Sequence, residues 1–328
     1  MGGSTMRRIG VLTSGGDAPG MNACIRAVVK AAKVNNIETI GIYEGYKGLM
    51  EGNMKVLTTN YVDDIVELSG TVLKSARSKL FKTEEGLKLA KEQADKNGIE
   101  GLIVIGGDGS FRGACDVEKY GLPVIGIPGT IDNDIAGTEF SIGADTAVNI
   151  VTDTISKIHD TARSLIVDTP RVFLVEVMGR GCGYIAATSA IAGGADYCIV
   201  PEMPYDVNEM CAHLQRKFEN GKVYSVVIVA EGAISVYELK KEVDSILNID
   251  ARASVLGHLQ RGGAPTAFDR FIASQMGVKA VELLLEGKTN RMVGIVAGKA
   301  VDCDINQGIN DKNKISEEVV KLNNILIS

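Results

Sequence analysis

Asp108 lies in the glycine-rich turn Gly106-Gly107-Asp108-Gly109, and Asp132 and Asp134 lie in the loop Pro128-Gly129-Thr130-Ile131-Asp132-Asn133-Asp134. The first turn offers bare backbone amides and a carboxylate, which suit phosphates and their metal ion. The second offers a hydroxyl and two more carboxylates, which suit an acceptor hydroxyl and its base. Phosphoryl transfer needs both sets in one place. Each residue also has a plainer reading. Asp108 fits a turn position bonded to its own backbone, and loop carboxylates two residues apart are commonly solvated and inert. Glycine on both sides of Asp108 favours close approach by a phosphate, because a simple turn needs only one. Asp132 is the residue expected to take the proton of an attacking hydroxyl.

Other residues extend the pattern. The loop Thr13-Ser14-Gly15-Gly16-Asp17-Ala18-Pro19-Gly20 leads into a helix and can bring amides to an anion, although a tight turn would look the same. It is not a P-loop, since no Lys-Ser or Lys-Thr follows. Arg77 follows Ser75-Ala76, and becomes a phosphate clamp only if its loop nears the strand edges. Arg171, Arg180, Arg252, Arg261 and His258 lie near strand ends and could neutralise a phosphate, a task that suits the arginine fork. Singly, each fits a salt-bridge partner or a core histidine. Glu231 follows the apolar run Val226–Ala230, where a carboxylate could accept bonds from sugar hydroxyls. As a set these residues point to an anionic sugar.

Strand-like runs at Ile9–Thr13, Thr39–Tyr43, Leu102–Ile105, Val124–Ile127, Val172–Val177, Cys198–Val200, Ser225–Ala230 and Val293–Ala297 must position these groups. Helical stretches near 19–34, 84–97, 110–120, 144–161, 183–192, 207–220, 236–248 and 267–286 lie between them. Such alternation predicts an α/β protein with mostly parallel sheets and helices on both faces. Loops at the carboxyl ends of neighbouring parallel strands then share one edge. The pattern divides near Gly143, with a return to the first domain after Gly262-Gly263.

At 328 residues the chain is long enough for two domains, and its 45% apolar and 23% charged fractions are those of an ordinary globular protein. The net charge of −6 argues against a nucleic-acid partner. The six cysteines, at 24, 115, 182, 198, 211 and 303, show no metal-type spacing and read as reduced core residues of a cytosolic protein. No apolar run is long enough for a membrane span. The start, Met1 to Met6, lacks a signal-peptide core, and the residues ahead of Met6 read as a cloning scar before a native Met6.

The motifs IGVLTSGGDAPGMN (9–22), GGDGS (106–110), PGTIDND (128–134), VEVMGR (175–180), AIAGG (190–194) and VLGHLQRGG (255–263) resemble, in this order, the bacterial-type ATP-dependent 6-phosphofructokinases. The likeness runs from about Arg8 to near the C-terminus. It implies two Rossmann-like three-layer α/β/α domains: 6–143 plus 262–311 for ATP, and 144–261 plus 312–328 for fructose 6-phosphate. It also implies a cytoplasmic homotetramer that makes fructose 1,6-bisphosphate in glycolysis, with Mg2+ carried on ATP. Gly16, Tyr46, Arg77, Gly107, Asp108, Gly109, Ser110 and Gly113 match the Mg-ATP contacts, with Asp108 on the metal. Thr130, Asp132 and Asp134 match the catalytic loop, and Arg77 and Arg180 would offset charge on the transferring group. Met178, Gly179, Arg180, Glu231, His258 and Arg261 match the sugar-phosphate ligands, whereas Arg171 and Arg252 match residues that reach in from a neighbouring subunit.

Pyrophosphate-using relatives carry Asp where this chain has Gly109 and Lys where it has Gly129, so glycine at both predicts ATP. An NAD kinase would share the GGDG turn without needing PGTIDND and HLQRGG. A catalytically silent sugar-phosphate sensor would be expected to lose Asp132, which is present. In the family's pocket for ADP or phosphoenolpyruvate, Arg26, Asp64, Asp196 and Lys222 match, and Lys30 replaces an Arg. His159 stands where Arg is expected, Asn220 where Lys or Arg is usual, and Thr59 or Asn60 where another Arg belongs, so weak or altered effector control is predicted. Lys74, where the family has a small residue, and about four extra residues around Leu165–Thr169 are further departures.

Overall fold

The computed structural model describes residues 6–164 and 169–327, and the extra residues near 165 lie, apart from Thr169, outside that range. The chain forms two units and passes between them three times: after Thr146, after Gln260 and after Lys312. The first unit opens with β1 (Arg8–Thr13), α1 (Met21–Val34), β2 (Glu38–Ile42), α2 (Gly45–Glu51), β3 (Met54–Leu57) and α3 (Thr59–Asp63). It continues with α4 (Glu84–Lys96), β4 (Gly101–Gly106), α5 (Asp108–Glu118) and β5 (Val124–Pro128). The first crossing falls within α6 (Ala144–Arg163).

The second unit holds β6 (Arg171–Val177), α7 (Tyr184–Gly193), β7 (Tyr197–Ile199), α8 (Val207–Glu219), β8 (Tyr224–Ala230), α9 (Val236–Leu247) and β9 (Arg252–Val255). The chain then returns for α10 (Ala267–Leu285), β10 (Arg291–Val296), β11 (Lys299–Asp304) and α11 (Ile305–Asn310). Last comes α12 (Glu317–Ile327), which belongs to the second unit. Against the expected boundaries, the first unit also holds 144–146, Arg261 and Lys312. The reason lies in their bonds: Thr146 to Asp269, Arg261 to Asp17, and Lys312 to Asp108 and Asp134.

The first sheet runs β11-β10-β5-β4-β1-β2-β3, parallel at its centre with antiparallel β3 and β11 at its edges. Every residue of β4 and β5 is buried, as expected of strands covered on both faces. Phe111 of α5 joins Leu102 and Val104 of β4 and Val124 of β5 in one buried apolar cluster. Charged Lys55, Lys299, Asp302 and Asp304 mark the two edge strands, where charge discourages pairing with another chain. The second sheet, β7-β8-β6-β9, is parallel throughout. Val172, Leu174, Val227 and Val229 meet Met210, Leu214, Leu239 and Val243 of its helices.

None of the six cysteines is joined in a disulfide, and burial raises the pKa of Cys115 and Cys211 to about 11 each, so these two thiols carry little nucleophilic thiolate. Among the described residues no helix is long and apolar enough to cross a membrane.

Candidate active site

Three strands of the first sheet end in register and send their loops off one edge. Thr13 of β1 pairs with Ile105 of β4, and Gly106 of β4 pairs with Pro128 of β5. Ser14 N–H donates to the Ile105 carbonyl (3.0 Å) and Gly129 N–H to the Gly106 carbonyl (3.0 Å), which ties the loops together at their roots. Ser75 Oγ donates to the Gly15 carbonyl (2.8 Å), so the segment bearing Arg77 joins the same edge; Arg77 itself is exposed.

Asp108 opens α5, a favourable place for a carboxylate because the helix amides there carry partial positive charge. Its Oδ1 accepts from Gly109 N–H (2.7 Å). A Cβ built at Gly107 or at Gly109 would meet nothing within 4 Å, so the fold itself does not require glycine at either position. What glycine leaves there is room for a ligand to touch the backbone. Ser110 and Gly113 follow on the same helix and are buried. Tyr46 lies within the core: its ring stacks on Phe81 at 4.0 Å and its hydroxyl donates to the Ser110 carbonyl. Expected as a direct nucleotide contact, Tyr46 here supports the first turn of α5 from beneath.

The catalytic-loop candidates are shaped by a residue between them. Asn133 adopts a left-handed conformation (φ 50°) and is buried. Its amide donates to the Glu139 carbonyl (3.0 Å), and its Oδ1 accepts from Ser141 N–H (2.7 Å). Thr130 Oγ1 accepts from Asp132 N–H (3.3 Å), and the Thr130 carbonyl accepts from Ser141 Oγ (2.7 Å). Thr130, Asp132 and Asp134 are half-buried on either side of that anchor.

Asp108 and Asp134 meet on one cation that sequence reasoning missed. Lys312 Nζ lies 2.6 Å from Asp134 Oδ2 and 3.3 Å from Asp108 Oδ2. Burial works against the charged Lys312, but its bonds to Asp134 and then Asp108 outweigh that and raise its pKa. No motif or periodicity announces this residue; the sole hint is a basic residue just after a short helix.

Arg261 also belongs to this unit. Its Nη1 donates to the Asp17 carbonyl (2.9 Å), and its own carbonyl accepts from Ser69 Oγ (3.4 Å). Expected beside a sugar phosphate, it is held in this structure on the loop after β1, next to Gly16.

In the second unit, β6 runs straight into Met178-Gly179-Arg180. Met178 N–H donates to Oε1 of fully buried Gln260 (3.1 Å), which joins the end of β6 to the turn carrying His258. Gly179 has φ 137°, and a Cβ there would lie 2.6 Å from the Cys182 carbonyl, so glycine is required. Glu231 N–H donates to the Val177 carbonyl (2.9 Å), and its carboxylate lies 3.7 Å from Arg180 Nε, beside an otherwise exposed guanidinium. Met178, Gly179, Arg180, Glu231 and His258 thus follow the carboxyl ends of the strands. Arg171 and Arg252 are instead the first residues of β6 and β9. At about 3.3 Å per residue, the seven residues of β6 separate Arg171 from Met178 by roughly 20 Å. Arg252 pairs with Asp250 at 2.7 Å.

The expected effector residues divide between the units. Arg26, Lys30 and Asp64 lie in the first, where Lys30 pairs with Asp63 at 2.5 Å. In the second, buried Asp196 takes Lys222 and Lys217, and Lys222 also sits over the Tyr224 ring at 5.8 Å. His159 bonds the Tyr224 hydroxyl (3.1 Å) and the Gly193 carbonyl (3.0 Å).

The phosphofructokinase family model matches residues 8–284. The chain is 51% identical, over 317 residues, to an ATP-dependent 6-phosphofructokinase of Bacillus pumilus, covering 97% of this chain and 98% of that protein. It is 50% identical over the same shares to the protein of that name from Bacillus subtilis. Among solved structures, phosphofructokinase from Pichia pastoris in the T-state superposes with a TM-score of 0.86 at 36% identity, covering 94% of this chain and 36% of that one. A pyrophosphate-dependent phosphofructokinase from Marinobacter aquaeolei shares the fold, with a TM-score of 0.83 at 24% identity over 98% of this chain and 92% of that one.

Proposed function

This chain belongs to the phosphofructokinase family, and we propose that it transfers the γ-phosphoryl group of ATP to the 1-hydroxyl of fructose 6-phosphate. The products are fructose 1,6-bisphosphate and ADP. The observation that carries this reading is the shared edge of the first sheet, where Asp108 and Asp134 converge on one cation beside Asp132. Asp132 accepts the proton of the 1-hydroxyl as that oxygen bonds to the γ-phosphorus and the bond to ADP breaks. Thr130 and Asp134 shape the loop around it. Arg77 and Arg180 offset charge that grows on the transferring group, where stabilisation accelerates the reaction.

Among the described residues no group of three or more His, Cys, Asp or Glu side chains could hold a metal ion by itself. That suits Mg2+, which is commonly held by one or two carboxylates together with phosphates and water. Asp108 is the carboxylate placed for it, and an ammonium already lies 3.3 Å from its Oδ2, so the donor set tolerates a cation there. When bound, the ion would neutralise charge on the β- and γ-phosphates.

Gly16, Gly107, Gly109, Ser110 and Gly113 bring backbone to the nucleotide, with Tyr46 as their support. Met178, Gly179, Arg180, Glu231, His258 and Arg261 recognise the sugar phosphate. The separation of Arg171 and Arg252 from that cluster supports a homotetramer in which each site borrows these arginines from a neighbour. A cytoplasmic setting agrees with six cysteines that are not joined in disulfides.

Pyrophosphate is the alternative donor, and the open space beside Gly109 favours ATP over it. Effector control is weak in this reading: His159, Asn220 and Thr59 or Asn60 stand where the family's pocket carries basic residues, and His159 is engaged by Tyr224 and Gly193. Each charge-assisted bond that a phosphate loses in this way removes about 1.5–3 kcal/mol. One steady-state assay tests these points, with fructose 6-phosphate and either ATP or pyrophosphate, each with and without ADP or phosphoenolpyruvate. Turnover with ATP alone and small effector shifts are expected. Turnover with pyrophosphate alone would reverse the donor, and strong micromolar effector shifts would sink the regulatory reading.

A further inference from the structure

Lys312 is fixed in place by more than its ion pairs. Arg112 of α5 donates to the Ile309 carbonyl at the end of α11 (3.1 Å), which holds that helix against the nucleotide turn. Gly308 packs under Met292 and Ile135, where a Cβ would approach the Met292 sulfur to 2.7 Å. Residues Ile135 and Lys312 then form an antiparallel bridge directly after the Asp132–Asp134 loop. A backbone pinned on both sides delivers the ammonium to two carboxylates that belong to different loops.

We propose that Lys312 is a positioning residue of the phosphoryl-transfer site, whose ammonium ties the loop bearing Asp132 to the turn bearing Asp108 and reserves Asp134 from the metal ion. The inference rests on the kinase reading given above. Two carboxylates facing one another repel, and a cation shared between them removes that repulsion. The two contacts are unequal: the shorter bond, 2.6 Å, goes to Asp134, and the longer, 3.3 Å, goes to Asp108. Asp108 is therefore the partner that can exchange the ammonium for a metal ion borne by the nucleotide, while Asp134 stays engaged. Without Lys312, Asp108 and Asp134 would form a pair of hard oxygen donors able to take a divalent ion with no nucleotide present. The catalytic loop would then lose its link to the nucleotide turn.

Lys312→Met and Lys312→Arg in the full chain separate this role from a merely structural one, with folding of each checked by thermal melting. Titration of nucleotide-free protein with Mn2+, followed by electron paramagnetic resonance, should show Lys312→Met binding the ion at least tenfold more tightly than wild type. The same variant should lose tenfold or more in kcat, with KM for ATP within threefold. Lys312→Arg keeps the charge and should restore at least a third of the rate together with the weak Mn2+ binding of wild type. Mn2+ affinity unchanged within twofold in Lys312→Met, or an Lys312→Arg protein that binds Mn2+ as tightly as Lys312→Met, would overturn the proposal. So would an unchanged kcat. Wild type inactive with ATP would sink the kinase reading instead, and the Mn2+ titration would still judge Lys312.

Discussion

Asn133, flanked by Asp132 and Asp134, makes the bonds to Glu139 and Ser141 that set the course of the loop. Asp132→Ala should therefore leave the loop folded while removing the proton acceptor. A loss in kcat of roughly 10²–10⁴ is expected, with KM for fructose 6-phosphate little changed. Steady-state kinetics decide it, and a rate within a few-fold of wild type would remove Asp132 from the role of base. Lys74 shows what a sequence departure can hide. It is left-handed (φ 59°), a conformation that costs a non-glycine residue about 1–2 kcal/mol. The turn holds because its carbonyl accepts from Thr13 Oγ1 (2.9 Å) and its amide donates to the Thr71 carbonyl (3.1 Å). Nothing in the structure explains why lysine rather than glycine stands there. Asp108, Asp132 and Asp134 were legible because each follows an apolar run within one strand–helix–strand unit. Lys312 was not, since its partner Asp134 is 178 residues away in sequence and only the fold brings them together.

At the level of elements, the start of α6 depends on a carboxylate from another helix. Asp269 of α10 is fully buried and accepts from Gly143 N–H (2.9 Å) and Thr146 N–H (2.8 Å), so it serves as a cap for α6 from outside. Burial pushes its pKa up to about 6, against the opposing pull of Thr146 and Gly143. The folded pKa exceeds the unfolded one, so this group stabilises the fold most below its unfolded pKa. That contribution fades as pH rises through about 6. Asp269→Asn removes the titration. The stability difference between wild type and this variant should shift against wild type by about 2 kcal/mol from pH 4 to pH 7. Denaturant melts across that range measure it, and a constant difference would refute it. The buried parallel strands were readable as continuous apolar runs. The missed strands are the edges: Met54–Leu57 and Lys299–Asp304 are short or charged, and Arg252–Val255 is largely exposed. Their pairing comes from neighbours rather than from their own hydrophobic pattern. The short helices Gly45–Glu51 and Ile305–Asn310 lack the length for a periodic signal.

For the whole molecule, the proposed borrowing of Arg171 and Arg252, which open β6 and β9, predicts that activity depends on assembly. Specific activity should fall by tenfold or more on dilution to concentrations at which light scattering reports dissociated subunits. A monomer as active as the assembled form would show that no arginine is borrowed. The three passages between units carry a different consequence, for inheritance. No single break in the coding sequence yields two self-sufficient halves, because a fragment ending at Thr146 lacks β10 and β11 and with them one flank of its sheet. Recombination between related genes would have to exchange segments at three junctions simultaneously to transplant either unit intact. A change of phosphoryl donor is therefore reached more readily at single codons, with 109 and 129 the positions proposed for it, than by shuffling blocks.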